Sequence, residues 1–253
     1  MLPMPTRKHT TKRHSQLPKN KLPQTKKQPT TAKEFEGRVL DLDLPEFYKK
    51  LKACNATKLT DLSLYRRSVF KLCDIERGFV RVRDEGDKIT MTSKLYKDPK
   101  FPTESELSIH DTFEHGQDFL RSLNLTEKAY HETMREKWSI PKSNTNKKQL
   151  CEVAIDRIPG LPLYAELECK TEADLKKTCK LLGVTYNDLG FGGYGNVYQH
   201  YYGIAPSEIN NVIPKLTFNN IRSELNKYVE KNRDILENAY KTHLDIYKTL
   251  KKT

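Results

Sequence analysis

No acidic residue occurs in the first 33 positions of this chain, and no C-x-x-C pair and no signal-peptide-like apolar stretch occurs in it. Nor does any apolar run approach the ~20 residues needed to span a bilayer, so the sequence predicts a soluble protein with no membrane partner. The five cysteines, Cys54, Cys73, Cys151, Cys169 and Cys179, are odd in number and scattered. That pattern argues against a disulfide framework or a zinc site and for a reducing compartment such as the cytoplasm. The missing acids also locate the charge. Of the formal net +12, nine Lys and Arg fall in residues 1–33, so 12 − 9 leaves only +3 for the rest of the chain. A nucleic-acid reading drawn from net charge therefore applies to that end and not to the body.

The same end holds five prolines, little apolar surface and no periodicity. It cannot bury enough to offset the entropy of ordering, and residues 1–32 are expected to be a disordered basic arm. Such an arm attracts nucleic acid or another anionic surface, or it merely solubilises; the sequence leaves both open.

What the remainder does contain is a repeated two-residue alternation separated by turn residues. Strands are expected over Glu34 to Asp41, Leu64 to Leu72, Phe79 to Arg83, Lys88 to Leu95, Arg135 to Ile140, Leu150 to Ile158 and Leu163 to Cys169. The connection Asp84 to Asp87 reads as a hairpin loop. Helices are expected at Leu44 to Asn55, around Phe113 to Leu123, and from Thr171 to a stop at Gly183. A further long helical pattern runs from Thr217 toward Leu250.

The alternation is unusual in what it places opposite the apolar residues. Side chains repeat every two residues in a strand, so Glu34, Glu36 and Arg38 share one face, as do Arg81 and Arg83. Lys88, Thr90, Thr92 and Lys94 form another such row, and Arg135 with Lys137 another. Glu152 and Asp156 face away from Val153 and Ile155, and Glu166 and Glu168 away from Ala165 and Leu167. One such strand would read as a sheet face in water. Six of them point to a sheet that closes round a charged lumen, where charges persist only if they pair or coordinate ions. Clustered Arg and Lys bind a polyanion, and clustered carboxylates supply oxygens to hard divalent cations. Phosphoryl chemistry needs both.

In that setting EFEGRV, Glu34 to Val39, resembles the E-x-E-x-K signature of the CYTH family, the triphosphate tunnel enzymes that include class IV adenylate cyclases and thiamine triphosphatases. VRVRDEGDKITMTSK, Val80 to Lys94, is similar to that family's R-x-R strand, hairpin and lysine-bearing strand; REKW at Arg135 resembles its later basic strand. CEVAIDRIPGLPLYAELE, Cys151 to Glu168, resembles the stretch ending in its second E-x-E, and LLGVTYNDLGFGGYGNVYQHYYGI its closing helices. One departure is that Arg38 stands where the signature has lysine, which keeps the charge and gives up a shiftable pKa.

The resemblance implies an α+β fold, an antiparallel β-barrel with helices packed outside, over residues 33–205. A helical C-terminal extension, 206–253, would follow the barrel. It implies Mg²⁺- or Mn²⁺-dependent hydrolysis of a triphosphate such as tripolyphosphate, thiamine triphosphate or a nucleoside triphosphate. Glu34, Glu36, Glu152, Glu166 and Glu168 would be the metal ligands. Arg38, Arg81, Arg83, Lys94, Arg135 and Lys137 would bind the substrate, with Glu34, Glu36 and Arg38 the catalytic set. Class IV cyclase chemistry, RNA 5′-triphosphatase activity and a non-catalytic nucleotide- or polyphosphate-binding barrel remain alternatives, and the oligomeric state stays open.

Several features carry less weight. Gly190, Gly192 and Gly195 spell a dinucleotide-type G-x-G-x-x-G with no βαβ unit before it. His110 and His115 read as surface residues. Of the adjacent Arg66 and Arg67 only one can point inward, and the sequence does not say which.

Overall fold

The computed structural model describes residues 32–33, 35–72, 78–96, 103–229 and 231–251. Glu34, Cys73 and residues 1–31 of the expected basic arm lie outside the described residues, while Ala32, its last residue, is in a strand. Residues 31–253 form one compact unit.

Its centre is a single mixed-length sheet, antiparallel except for one short pair. In chain order the elements are β1 (Ala32–Lys33), β2 (Phe35–Val39), α1 (Leu44–Ala53), β3 (Thr57–Lys71), β4 (Gly78–Asp84), β5 (Ile89–Leu95) and β6 (Thr103–Ile109). Then follow α2 (Phe113–Ser122), β7 (Glu127–Pro141), β8 (Gln149–Arg157), β9 (Tyr164–Cys169), α3 (Glu172–Leu182), α4 (Tyr194–Tyr202), α5 (Pro206–Asn211), β10 (Lys215–Leu216), α6 (Ile221–Leu225) and α7 (Arg233–Leu250). The strands lie in the order β1-β6-β5-β4-β3-β7-β8-β9-β2, with β10 added in parallel to β7. The sheet is curled so far that its two edge strands are consecutive stretches of one N-terminal segment. Lys33 pairs with Thr103 of β6, and Phe35 pairs with Cys169 of β9. This is the tunnel-like α+β fold expected from the alternation.

The helix starts follow the local sequence. The Asp43 side chain accepts from the Glu46 N–H at 3.1 Å, with Pro45 in the first turn of α1. Thr171 accepts from the Asp174 N–H at 3.0 Å, and Gly183 closes α3 in the left-handed region at φ 62°.

Helices cover the apolar outer face. Phe47 and Leu51 of α1 and Leu175, Cys179 and Leu182 of α3 pack with Val153, Ile155, Ala165 and Leu167 from the outward positions of β8 and β9. A second apolar cluster joins Ile158, Leu161 and Tyr164 to Tyr198, Ile209, Ile221, Leu225 and Leu236, so the residues after 205 are built into the same body.

Three expectations need correction. The long helix is two helices, because Asn232 takes a left-handed conformation (φ 59°) and its side-chain amide donates to the Tyr201 carbonyl at 2.7 Å, which fixes the break. A strand, β6, was not anticipated: TESELSI has little apolar contrast between its faces and weak strand formers. Finally, Cys151 and Cys169 are joined as a disulfide, where scattered spacing had argued against any pairing. They stand directly opposite each other on β8 and β9 with Cα atoms 4.5 Å apart, a proximity set by register and not by sequence spacing.

Candidate functional site

Directly paired residues of antiparallel strands share a face, so the register identifies what lines the curl. Arg81 pairs with Thr92, which pairs with Glu106; Arg83 pairs with Thr90; and Lys94 pairs with Glu104. Arg67 pairs with both Arg83 and His131, so Arg67 is the inward member of its pair. Arg66 turns outward to Asp84 and lies over the Phe113 ring. Arg135 pairs with Asp156, Ser139 with Glu152, Glu152 with Glu168 and Glu168 with Glu36; Arg38 pairs with Glu166. Every described member of the expected set therefore faces one interior.

Within it, cations and carboxylates interlock. Arg38 Nη2 donates to Glu166 Oε2 at 2.6 Å and lies 3.5 Å from Glu36 Oε1. Arg135 grips Asp156 with two bonds, Nε to Oδ1 at 2.6 Å and Nη2 to Oδ2 at 2.5 Å, and reaches Glu166 at 3.4 Å. Lys94 is paired with Glu104 and stands 3.7 Å from Glu36. Lys137 pairs with Glu152 at 2.8 Å. Arg83 donates from Nε to Glu85 at 2.8 Å and lies 3.6 Å from Glu106; Arg81 lies 3.7 Å from Glu106 and 3.8 Å from Glu104.

These contacts set the protonation states. Burial disfavours charge on Arg38, but Glu166 and Glu36 outweigh it and hold the guanidinium above its usual range. Burial likewise opposes charge on Glu166, yet Arg38, Arg135 and Lys94 hold this carboxyl well below the ordinary range. Arg83 moves the other way, lowered by burial and by Arg81 beside it. Glu168 has no such cationic cage: burial, then Glu152, Glu166 and Glu36, push it up to about 7.

The glycine-bearing segment lies against the interior at Arg38. Arg38 forms a two-way backbone bridge with Gly190 and donates its Nη1 to the Gly192 carbonyl. Gly37 permits this approach, since a Cβ there would sit 2.7 Å from Leu189 Cδ1. Behind it, Tyr194 shares its hydroxyl with His131 Nδ1 at 2.8 Å, and Arg67 lies over the Tyr194 ring at 4.6 Å. G-x-G-x-x-G here thus supplies backbone partners to Arg38, and no βαβ unit precedes it among the described residues.

Sequence reasoning missed Glu85, Glu104, Glu106 and His131 as interior residues and left Arg67 undecided against Arg66. An E-x-E at Glu104 and Glu106, echoing Glu34-x-Glu36 and Glu166-x-Glu168, was the signal available for two of them; Glu85, in a hairpin loop, offered none. Among the described residues no set of three or more His, Cys, Asp or Glu groups converges closely enough to hold a metal ion. The donors still fit a hard divalent cation in kind: Glu36, Glu152 and Glu168 form one cross-strand row of carboxylates. Burial, and then crowding by its carboxylate neighbours, raises Glu168, and a bound cation would relieve the repulsion.

No protein-family model matches the chain, and no curated protein matches it in sequence. Solved structures do. A protein from Vibrio parahaemolyticus described as a "putative adenylate cyclase" superposes with a TM-score of 0.54 over 67% of this chain and 99% of its own, at 11% identity. A conserved hypothetical protein from Pyrococcus furiosus gives 0.48 at 18% identity, over 62% of this chain and 94% of its own. A Hippeastrum protein, described as an adenylyl cyclase candidate with a dominant triphosphatase activity, gives 0.41 at 14% identity, over 60% and 88%. At these identities the likeness is one of fold. The chain has the fold of the Vibrio protein, and that fold agrees with the one implied by its resemblance to the CYTH family.

Proposed function

We propose that this chain is a metal-dependent triphosphatase that holds its substrate in the tunnel. The observation that carries the reading is that Arg38, Arg81, Arg83, Lys94, Arg135 and Lys137, from four different strands, face one interior together with a cross-strand row of three carboxylates. Anion binding alone would be weakened by those carboxylates, and cation binding alone by the six bases.

In this reading the six basic residues contact the oxygens of the substrate and neutralise charge developing on the transferred phosphoryl group. Arg135 and Arg38 are positioned by Asp156 and Glu166. Glu36, Glu152 and Glu168 would hold Mg²⁺ or Mn²⁺, with Glu34 joining them by its place in the E-x-E; Glu166, bound between two arginines, is the least free of the acids. A bound divalent cation supplies further neutralisation and orients the phosphates. Water attacks the terminal phosphorus, a tunnel carboxylate takes its proton, and the phosphoanhydride bond breaks to release orthophosphate and a diphosphate product.

The test is phosphate release from tripolyphosphate, thiamine triphosphate, ATP and 5′-triphosphorylated RNA, with and without Mg²⁺ or Mn²⁺. Metal-dependent release from at least one is expected. Full release in excess chelator would sink the metal role. Cyclic nucleotide formed from ATP without phosphate release would put cyclase chemistry in its place, and tight binding without turnover of any substrate would leave a binding barrel.

A further inference from the structure

Outside the tunnel, β7, β10 and the end of α7 enclose a cleft of about 750 Å³. That is within the ~300–1,000 Å³ typical of small-ligand sites. It exists because β8 leaves β7 after Met134 pairs with Arg157, and β10 takes up the vacated edge of β7 at Tyr130 and His131. Lys128, Lys215 and Lys251 line it. Each ammonium stands over an aromatic ring: Lys215 over Tyr130 at 5.7 Å, Lys251 over Tyr247 at 5.4 Å and Lys128 over Phe79 at 5.7 Å. Lys251 also donates to the Tyr247 hydroxyl at 3.1 Å, and Lys251 and Lys215 act electrostatically on Glu132. The two acids of the cleft are otherwise engaged. Glu127 pairs with Arg121 at 2.6 Å. Glu132 accepts from the Phe218 N–H at 3.1 Å and from the Tyr247 hydroxyl at 3.3 Å, and burial raises its pKa.

One lining residue of the cleft, Lys128, also touches residues on the tunnel side of the sheet. A register shift between Val69 and Phe70 leaves Lys128 as the extra residue of β7, between Ala129 and Glu127. Its ammonium thereby reaches Phe79, which pairs with the tunnel residue Lys94. From the same position Lys128 acts electrostatically on His131, whose inward ring shares a hydrogen bond with Tyr194.

We propose that this cleft is a second anion site, which holds the phosphate groups of a chain longer than a triphosphate while the end of that chain lies in the tunnel. Burial and then Lys71 disfavour the charge on Lys128, a cost that an anion in the cleft would offset, and single lysines can each take one of several successive phosphates. The direction of the chain rests on the triphosphate reading of the tunnel; the binding of phosphates in the cleft does not. Two sources share this chemistry, an inorganic polyphosphate and a single-stranded nucleic acid.

The experiment compares the full chain with the triple variant Lys128→Ala/Lys215→Ala/Lys251→Ala, none of which belongs to the tunnel set. Binding of a labelled single-stranded oligonucleotide lacking a triphosphate, and of long-chain polyphosphate, is followed by anisotropy and competition across a salt series. Binding of at least one probe should fall tenfold or more, with a log–log salt slope shallower by about 2, as expected for three lost single-strand phosphate contacts. The probe that responds names the source. The KM for tripolyphosphate should stay unchanged while the KM for the responding long substrate rises. Equal slopes for variant and parent with both probes would overturn the proposal, as would an equal rise in KM for tripolyphosphate, which would make the lysines part of the tunnel. If no substrate is turned over, the triphosphatase reading fails, and the binding measurements still decide the cleft.

Discussion

Glu36 of β2 and Glu168 of β9 stand directly opposite each other inside the tunnel, two like charges on paired strands. Facing carboxylates repel, and Glu36 is relieved by Arg38 and Lys94 while Glu168 has Glu152 on its other side. A fold that only needed stability would place a neutral residue at one of the two positions. Glu168→Gln should therefore stabilise the metal-free protein by about 0.5–1 kcal/mol in urea unfolding and lower metal-dependent turnover at least a hundredfold. A variant that keeps full turnover would remove Glu168 from the metal set.

Asp156 is fully buried and holds Arg135 by two hydrogen bonds. Asp156→Asn leaves a buried guanidinium with half its partners. The expected loss is about 3–5 kcal/mol, read as a lower urea midpoint with an unchanged m-value. Substrate affinity should fall as well, because Arg135 loses the group that aims it. A stability close to that of the parent would show that Glu166 alone satisfies Arg135.

Acid should destabilise the protein through His243. Burial, then Arg157, lower this imidazole from its ordinary 6.5 to about 4. The folded form thus resists a proton that the unfolded form accepts, so its contribution to stability is full above about pH 6.5 and is lost as pH falls toward 4. Over that window the loss amounts to roughly 3 kcal/mol. In His243→Gln the fall of unfolding free energy from pH 7 to pH 4.5 should be shallower by about one proton; an identical slope would show that other groups, such as the buried His131, account for it.

Leu236 of α7 is fully buried against Leu225, Ile221 and the residues after β8. Leu236→Ala should cost about 2–5 kcal/mol, and removal of residues 206–253 should leave the tunnel unable to fold, because Tyr164, Tyr198 and Leu161 would lose their cover. A cooperative thermal transition in the truncated protein would mark the tunnel as an independent domain.

Much of this site was readable because a strand writes its faces at every second residue. Arg81-x-Arg83 and Glu166-x-Glu168 declared one charged side, and only a curled sheet can bury so many of them. What stayed unreadable depends on register. Nothing in the local sequence of Cys151 or Cys169 says that they face each other, and Arg66 and Arg67 became distinguishable only once Arg67 was seen opposite Arg83. β6 escaped because its outer side mixes the polar Thr103 and Ser105 with the apolar Leu107 and Ile109, so no unbroken apolar row stands opposite Glu104 and Glu106. The role of Gly190 to Gly195 also lay outside local pattern, since it depends on where Arg38 arrives in space.

The two consecutive edge strands have a further consequence for how the chain reaches this form. β1 and β2 leave the ribosome before the other described strands of the sheet, yet β2 has no strand partner among them until Cys169 and Glu166 have been made. Its pairing spans nearly the whole sheet in sequence, and such distant contacts form late because loop closure must come first. Through that interval Glu36 and Arg38 belong to an unpaired leading segment. The charged interior is therefore assembled in the last step of folding, and a nascent chain that stops short of β9 carries most of the sheet and none of the completed tunnel.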